Sequence, residues 1–315
     1  MTNTAKTQST NVADLPQFTI KQLLEAGVHF GHKTSRRNTK MSKYLFGVRN
    51  GLSIIDLQKT GVLLHEALKV VQNIAKNNGR ILFVATKKQA SDTISEMAQK
   101  CGQYYVNYRW LGGMLTNWST VSKSIKTLKD IENQLANDEL GLNKKEKLVL
   151  ERKRLKLEAT LGGIKDMGGY PDLVFIIDTH RESLAIAEAR RIKVPVMAIL
   201  DSNCNPDHIT YPIPGNDDSI KSIRLYCHLL SEAVLSGIRE NMGAGGLDLK
   251  KVAVSKVLNK NDKKTSSNSY KNDKPHAKDY VKTDAPKEVV KVATKKEAVK
   301  EVAKKDAPKK PATKK

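Results

Sequence analysis

The stretch Gly79-Arg80-Ile81-Leu82-Phe83-Val84-Ala85-Thr86-Lys87-Lys88-Gln89 decides the fold. Residues 81–85 are all apolar, follow a glycine, and stop at a threonine and two lysines. Nothing polar alternates within the run, so neither face of it is meant for water. Such a strand belongs in a parallel sheet covered on both sides. Residues 89–100 read as a helix ending at Gly102.

The same alternation extends in both directions. Downstream, strands are predicted over 104–107, 173–177, 194–200 and, shorter, 209–213. Helices are predicted over 182–191 and 218–238, the latter with acids at its start and Arg239 near its end, matching the helix dipole. Upstream, Leu63, Ala67, Val70, Val71 and Ile74 recur at helical spacing within 62–76. Residues 44–48 and 52–55 flank Arg49-Asn50-Gly51, and Asn-Gly between β-rich runs signals a hairpin. Thr19 is placed to cap a short helix over 20–26, with Leu23 and Leu24 on one face. The sum is an α/β chain: a three-layer α/β/α arrangement around a parallel sheet.

Residues 117–161 break the alternation. Val121, Ile125, Leu128, Ile131 and Leu135 step by three or four, while Leu148 and Leu155, like Leu150 and Leu157, lie seven apart. A turn is expected around 137–143. We read a coiled-coil helical hairpin inserted into the sheet domain, the central turn favouring an intramolecular pair over a dimerising zipper.

The 315 residues carry 55 Lys and Arg against 33 Asp and Glu, a net charge of +22. That imbalance concerns partners, and polyanions bind such surfaces through phosphate contacts. After about Gly246 the chain is rich in Lys, Ala, Val, Glu and Pro. Residues 246–315 hold 21 lysines, no arginine and nine acids, and are expected to be a disordered basic tail. Residues 1–17 are polar, lack an apolar leader-like run, and are expected to be disordered. The domain reading is therefore 18–116 with 162–240 as the α/β body, 117–161 as the hairpin, and the two ends as tails. Cys101, Cys204 and Cys227 are widely spaced with no C-x-x-C, which fits a reducing compartment and no zinc ribbon. No apolar run approaches the roughly 18 residues of a membrane span, so a cytoplasmic protein without membrane contact is expected.

The loops an enzyme would need are missing. No G-x-G-x-x-G follows a predicted strand, and neither G-x-x-x-x-G-K-[ST] nor G-x-S-x-G occurs. Thr86-Lys87-Lys88 is bulky where a dinucleotide site needs glycine. The glycine pairs 112–113, 162–163 and 168–169 read as turns. His29-Phe30-Gly31-His32 is an H-x-x-H motif, but Gly27 and Gly31 oppose a helix and no further ligand lies nearby in sequence. Asp178 and Asp201 follow strand ends without a partner nucleophile, and Asp217-Asp218 reads as a helix start. No catalytic residue, metal or cofactor is expected.

Features suited to RNA are richer. Lys33, Arg36, Arg37, Lys40 and Lys43 crowd into eleven residues beside Tyr44 and Phe46. A flexible basic loop with aromatics suits phosphate contact and base stacking. Lys87 and Lys88 sit at a helix start, a place favourable to phosphate. Tyr108-Arg109-Trp110 sets a guanidinium between two rings. The RNA-contact set is Lys33, Arg36, Arg37, Lys40, Arg49, Lys87, Lys88 and Arg109 for phosphate, with Tyr44 and Trp110 for stacking.

Seven motifs in order carry a family resemblance. They are His29-Phe30-Gly31-His32 with Asn38, Lys40 and Met41; Arg49-Asn50-Gly51 leading to Ile54-Ile55-Asp56-Leu57; Ile81-Leu82-Phe83-Val84 with Thr86-Lys87-Lys88-Gln89-Ala90; 109–117, Arg-Trp-Leu-Gly-Gly-Met-Leu-Thr-Asn; 161–165, Leu-Gly-Gly-Ile-Lys; Pro171-Asp172; and 213–218, Ile-Pro-Gly-Asn-Asp-Asp. Over about 18–238 the chain closely resembles the bacterial small-subunit ribosomal protein two family. The resemblance implies a flavodoxin-like domain with a protruding coiled-coil hairpin. It implies a non-enzymatic place between head and body of the small subunit, contacts with small-subunit rRNA, and help in recruiting ribosomal protein one. Ser35, Arg37 and Thr39 stand where that family usually has Arg, Trp and Pro, so what this loop touches differs in detail.

Overall fold

The computed structural model describes residues 15–137 and 143–244. The tail readings for 1–14 and 245–315, and the tip of the hairpin turn, lie outside the described residues.

Helices α1 (Ile20–Ala26), α2 (Leu57–Lys76), α3 (Lys88–Lys100), α4 (Trp118–Ala136), α5 (Lys144–Leu161), α6 (Ser183–Arg191) and α7 (Ile220–Ala244) accompany eight strands. These are β1 (Phe30–Lys33), β2 (Leu45–Arg49), β3 (Leu52–Ile55), β4 (Ile81–Val84), β5 (Tyr104–Val106), β6 (Leu173–Ile177), β7 (Val196–Leu200) and β8 (Tyr211–Pro214). Strands β4 to β8 form one parallel sheet in the order β5-β4-β6-β7-β8.

Apolar runs become strands here because alternate side chains enter different cores. Ile81 and Phe83 of β4, Phe175 of β6 and Ile199 of β7 pack with α2, α3 and α7. Leu82 and Val84, Val174 and Ile176, Ala198 and Leu200 face the opposite way, toward α6 and the feet of α4 and α5. All five residues of β6 and of β7 are buried. The three-layer α/β/α fold follows directly.

A second, antiparallel sheet has the order β1-β3-β2. The sequence predicts its β2–β3 hairpin but not β1, which the glycines around His29 disguise as loop. Asn50 and Gly51 both adopt positive φ, 51° and 74°, as a two-residue hairpin turn of the favoured hand requires. The β2–β3 pairing slips between Leu45↔Ile55 and Gly47↔Ile54, leaving Phe46 as an extra residue opposite nothing. Phe46 is 80% exposed.

At α1, Thr19 and Gln22 form a reciprocal capping box. Leu23 is buried, but Leu24 is exposed: the two leucines do not share a face. Leu15 and Phe18 pack against the core beside α1.

Helices α4 and α5 pack on one another. Val121 and Ile125 of α4 enter the second core, on the α6 side of the sheet, while Leu128 and Ile131 are buried farther out. Lys129 pairs with Asp166 at 2.9 Å and Lys165 with Glu132, fastening the base of the pair. The heptad reading of α5 needs correction. Leu150 and Leu157 are half-buried, but Leu148 and Leu155 are exposed, because only one of the two seven-residue series faces α4. Gly163, just after α5, is where the chain crosses closest to the sheet: a Cβ there would lie 2.1 Å from the Tyr105 carbonyl oxygen.

Candidate nucleic-acid interface

In a parallel sheet all strands end on the same edge, and here that edge gathers the polar residues that sequence alone leaves scattered. Lys87 follows β4, Asp178 follows β6, Asp201 follows β7, and Asp217 follows β8. The Lys87 ammonium lies 2.5 Å from Asp218, 3.0 Å from Asp217 and 3.6 Å from Asp178. Burial alone would depress this ammonium. The hydrogen bond to Asp218 and the fields of Asp217 and Asp178 outweigh burial and hold its pKa above the usual lysine value. Asp217 does not shift in the complementary sense. Burial and the neighbouring Asp201 push it up to about 7, against the pull of Lys87.

The antiparallel sheet docks on this edge. Asn216 N–H donates to the Val28 carbonyl, and Asn38 N–H to the Ser202 carbonyl. His32 reaches Asp201 through Nδ1 at 2.7 Å and faces Asp218 through Nε2 at 3.4 Å. Its hydrogen bond to Asp201 raises its pKa, against a smaller opposing effect of burial. The donor atoms of His32, Asp201 and Asp218 lie within 4.8 Å of one another, so these three side chains could hold a divalent cation. His29 does not join them. Burial lowers its pKa, and its Nδ1 is buried with no hydrogen-bond partner.

Residues 34–44 are more ordered than the flexible basic loop read from sequence. Two 3-10 turns, Thr34–Arg36 and Thr39–Tyr44, carry the charges, and buried Met41 pins them to the second core. Lys33, Arg36 and Arg37 are exposed. Arg37 donates to Ser42 Oγ at 3.2 Å, and Lys40 pairs with Asp207. Arg49 ends β2 at the hairpin tip and is exposed. Tyr44 is half-buried against the second core, with the Lys43 ammonium 4.8 Å above its ring. Between the small sheet and α1 runs a groove of about 700 Å³, lined by Leu24, Phe30, Phe46, Val48, Leu52 and Ile54 among others.

The loop after β5 is organised from beneath. Glu188 of α6 is 6% exposed, and its carboxylate accepts five hydrogen bonds. They come from Trp110 Nε1 (3.1 Å), Gly113 N (2.8 Å), Leu115 N (3.0 Å), Thr116 N (3.2 Å) and Thr116 Oγ1 (3.2 Å). Burial pushes its pKa up, but the donors prevail and the net shift is downward. Sequence reasoning missed Glu188. The signal was its helical phase, three residues after Ala185 and one before Ala189, both buried.

Of the predicted contact residues, Lys33, Arg36, Arg37, Lys40, Arg49, Lys88 and Arg109 are exposed cations. All lie at the carboxyl edge of the parallel sheet or on the small sheet docked there. Two residues are placed otherwise. Lys87, with a side chain only 12% exposed, is committed to carboxylates rather than offered to phosphate. Trp110 is 7% exposed and donates inward to Glu188, so its ring is not available for stacking. Tyr108, noted beside Arg109 in the sequence but left out of the contact set, is the exposed ring of that loop, at 65%.

No helix among the described residues is long and apolar enough to cross a membrane. The sequence finds its match in known proteins. The family model described as ribosomal protein S2 matches residues 23–237. A protein of Paramagnetospirillum magneticum named small ribosomal subunit protein uS2 is 58% identical over 236 residues, covering 75% of this chain and 89% of that protein. Its namesake in Gluconobacter oxydans is 59% identical over 235 residues, with 75% and 89% covered. The Phenylobacterium zucineum protein of that name is 58% identical over 235 residues, with 75% and 80% covered. The matched region spans all but the two ends of the α/β body and includes the carboxyl edge with its cations, its carboxylate cluster and the Glu188 loop; by it the chain belongs to the ribosomal protein S2 family, whose members are structural rather than enzymatic.

Proposed function

We propose that this chain is a structural constituent of the small ribosomal subunit, seated on small-subunit rRNA between head and body and acting in the cytoplasm. The observation that carries this reading is the gathering of seven exposed cations on one edge of the sheet domain and the small sheet docked there. Lys33, Arg36, Arg37, Lys40, Arg49, Lys88 and Arg109 neutralise rRNA phosphates and fix orientation. Phosphate contacts of this kind position a protein without reading sequence. Lys87 and Trp110 leave the contact set and act within the fold. The body over 18–116 and 162–240 is the rRNA-binding part. The 117–161 hairpin is an arm from it, and the 246–315 segment adds basic charge.

The groove beside Phe46 supports a second half of the reading, help in recruiting ribosomal protein one. RNA does not call for an open apolar groove with an aromatic ring standing free, whereas a docking protein segment does.

Sedimentation of a lysate through a gradient tests the reading. The protein is expected to travel with small subunits at about one copy each and to leave them as salt rises. Each contact removed by an Arg or Lys substitution should reduce the salt slope by about one. Sedimentation as free protein, or unchanged salt dependence after three such substitutions, would overturn the reading.

A further inference from the structure

The sheet order makes β4 the strand from which the chain leaves first to one side, to β5, and later to the other, to β6. In open α/β sheets the crevice beyond the carboxyl ends at such a reversal is where ligands bind. Here that crevice is a cavity of about 470 Å³ lined by Thr86 after β4, Tyr108, Arg109 and Trp110 after β5, and Arg181 and Glu182 after β6. Its size lies within the range of small-ligand sites.

The chemistry of the lining is specific. Arg109 and Arg181 are exposed and make no ion pair among the described residues. The one carboxylate in the wall, Glu182, is turned to its neighbour: its Oε1 accepts from Thr86 N at 3.0 Å and from Thr86 Oγ1 at 2.5 Å. Burial raises its pKa, against the pull of the Thr86 hydrogen bonds. Two guanidiniums are thus free to fork onto a phosphate. Tyr108 stands beside them with most of its ring open, and an open ring next to cations is a platform for a base.

The wall is also rigid. Trp110 shares the cavity and is tied to Glu188, so the loop bearing Tyr108 and Arg109 is held before any ligand arrives. No glycine loop offers backbone N–H groups, as sites for free nucleotides do. Lys88 continues the positive edge next to Thr86, where the next phosphate of a polymer would pass.

We infer that this crevice takes one unpaired nucleotide of small-subunit RNA, its base stacked on Tyr108 and its phosphate held between Arg109 and Arg181. The inference rests on the ribosomal reading above and adds a defined pocket and Arg181 to it.

The test uses small subunits stripped of this protein and rebound with the full-length chain. The RNA is then probed with a reagent that acylates exposed 2′-hydroxyls. The wild type is expected to shield a short unpaired stretch that Tyr108→Ala and Arg181→Ala each expose again, the rest of the footprint staying in place. Tyr108→Phe should keep the shielding, and loss of the stack should weaken rebinding about tenfold. Both residues are exposed, so thermal melting of the variants should match the wild type. A footprint identical in wild type, Tyr108→Ala and Arg181→Ala overturns this inference alone. Failure of the wild type to rebind overturns the ribosomal reading and this one with it. In a separate arm, AMP and UMP are titrated against the free protein. Saturable binding lost in Arg181→Ala, with an unchanged RNA footprint, would assign the pocket to free nucleotides and overturn the RNA source.

Discussion

Trp110 and Glu188 meet beneath the loop that follows β5, the indole N–H donating to a buried carboxylate at 3.1 Å. The pair joins the end of one strand to a helix 78 residues later. Four further donors share the same carboxylate, so the loop is held by an acid rather than by a core of its own.

Replacing that acid is therefore costly. Glu188→Ala orphans five donors, those of Trp110 and Leu115 buried and the other three partly buried, and should lower unfolding free energy by about 3–5 kcal/mol in denaturant melts. Glu188→Gln keeps an acceptor on one side and should cost less. The depressed pKa fixes the sign of the pH dependence. The contribution of Glu188 is present above the unfolded carboxylate value and is lost as pH falls through the lower, folded one. Equal stability of Glu188→Ala and wild type near neutral pH would refute the clamp.

Neighbouring lysines should separate fold from binding. Lys87→Ala strips the counter-charge from a half-buried carboxylate cluster and should destabilise by about 3 kcal/mol. Lys88→Ala, on an exposed side chain, should leave the melt within about 0.5 kcal/mol. It should instead lessen the salt dependence of subunit binding by about one contact. Calorimetry paired with salt-dependent sedimentation reads both, and a reversal of the two roles would contradict the geometry.

Asp217 should impose a dependence of the opposite sign to that of Glu188. Its folded pKa of about 7 lies above the ordinary 3.8, so between those values the folded chain keeps a proton that the unfolded chain has released. Stability from this group is complete below about pH 4 and lost as pH rises through about 7. His32, also raised, loses its contribution as pH climbs past its own elevated value. Asp217→Asn should flatten the part due to Asp217. Denaturant midpoints of wild type and variant, taken from pH 4 to 8 with chelator present, give the comparison. Parallel curves would show that Asp217 carries an ordinary proton affinity.

Phe46 offers a substitution that the fold should ignore. Phe46→Ala removes a ring already 80% in water and should change stability by no more than about 0.5 kcal/mol. Subunits carrying the variant should keep this protein and retain less ribosomal protein one, as measured by immunoblot across a gradient. Full retention would detach the apolar groove from that partner.

What could be read in the sequence follows from what local patterns encode. The runs at β4 and β6 declared themselves because strands buried on both faces need no polar residue. Asn50-Gly51 declared the hairpin because few other pairs accept two positive φ values. Pairing across long separations left no such mark. Lys87 looked like its neighbour Lys88 until β6 and β8 brought Asp178, Asp217 and Asp218 to it. Trp110 looked like a stacking ring because nothing local shows that Glu188 lies beneath it. Leu148 and Leu155 kept a heptad spacing, but spacing along one helix does not say which series the partner covers. Arg181 was passed over because its value lies in sharing a crevice with Arg109, 72 residues earlier.

The slip in the β2–β3 ladder has a consequence of another kind. Phe46 is the residue by which β2 exceeds its partner, and every pairing on either side of it is complete without it. Deleting position 46 would leave Leu45, Gly47, Val48 and Arg49 opposite Ile55, Ile54, Ser53 and Leu52 in unbroken sequence. The aromatic handle is in that sense detachable. A one-residue loss, ordinarily ruinous within a strand, would here tidy the ladder and take away only what reaches outward.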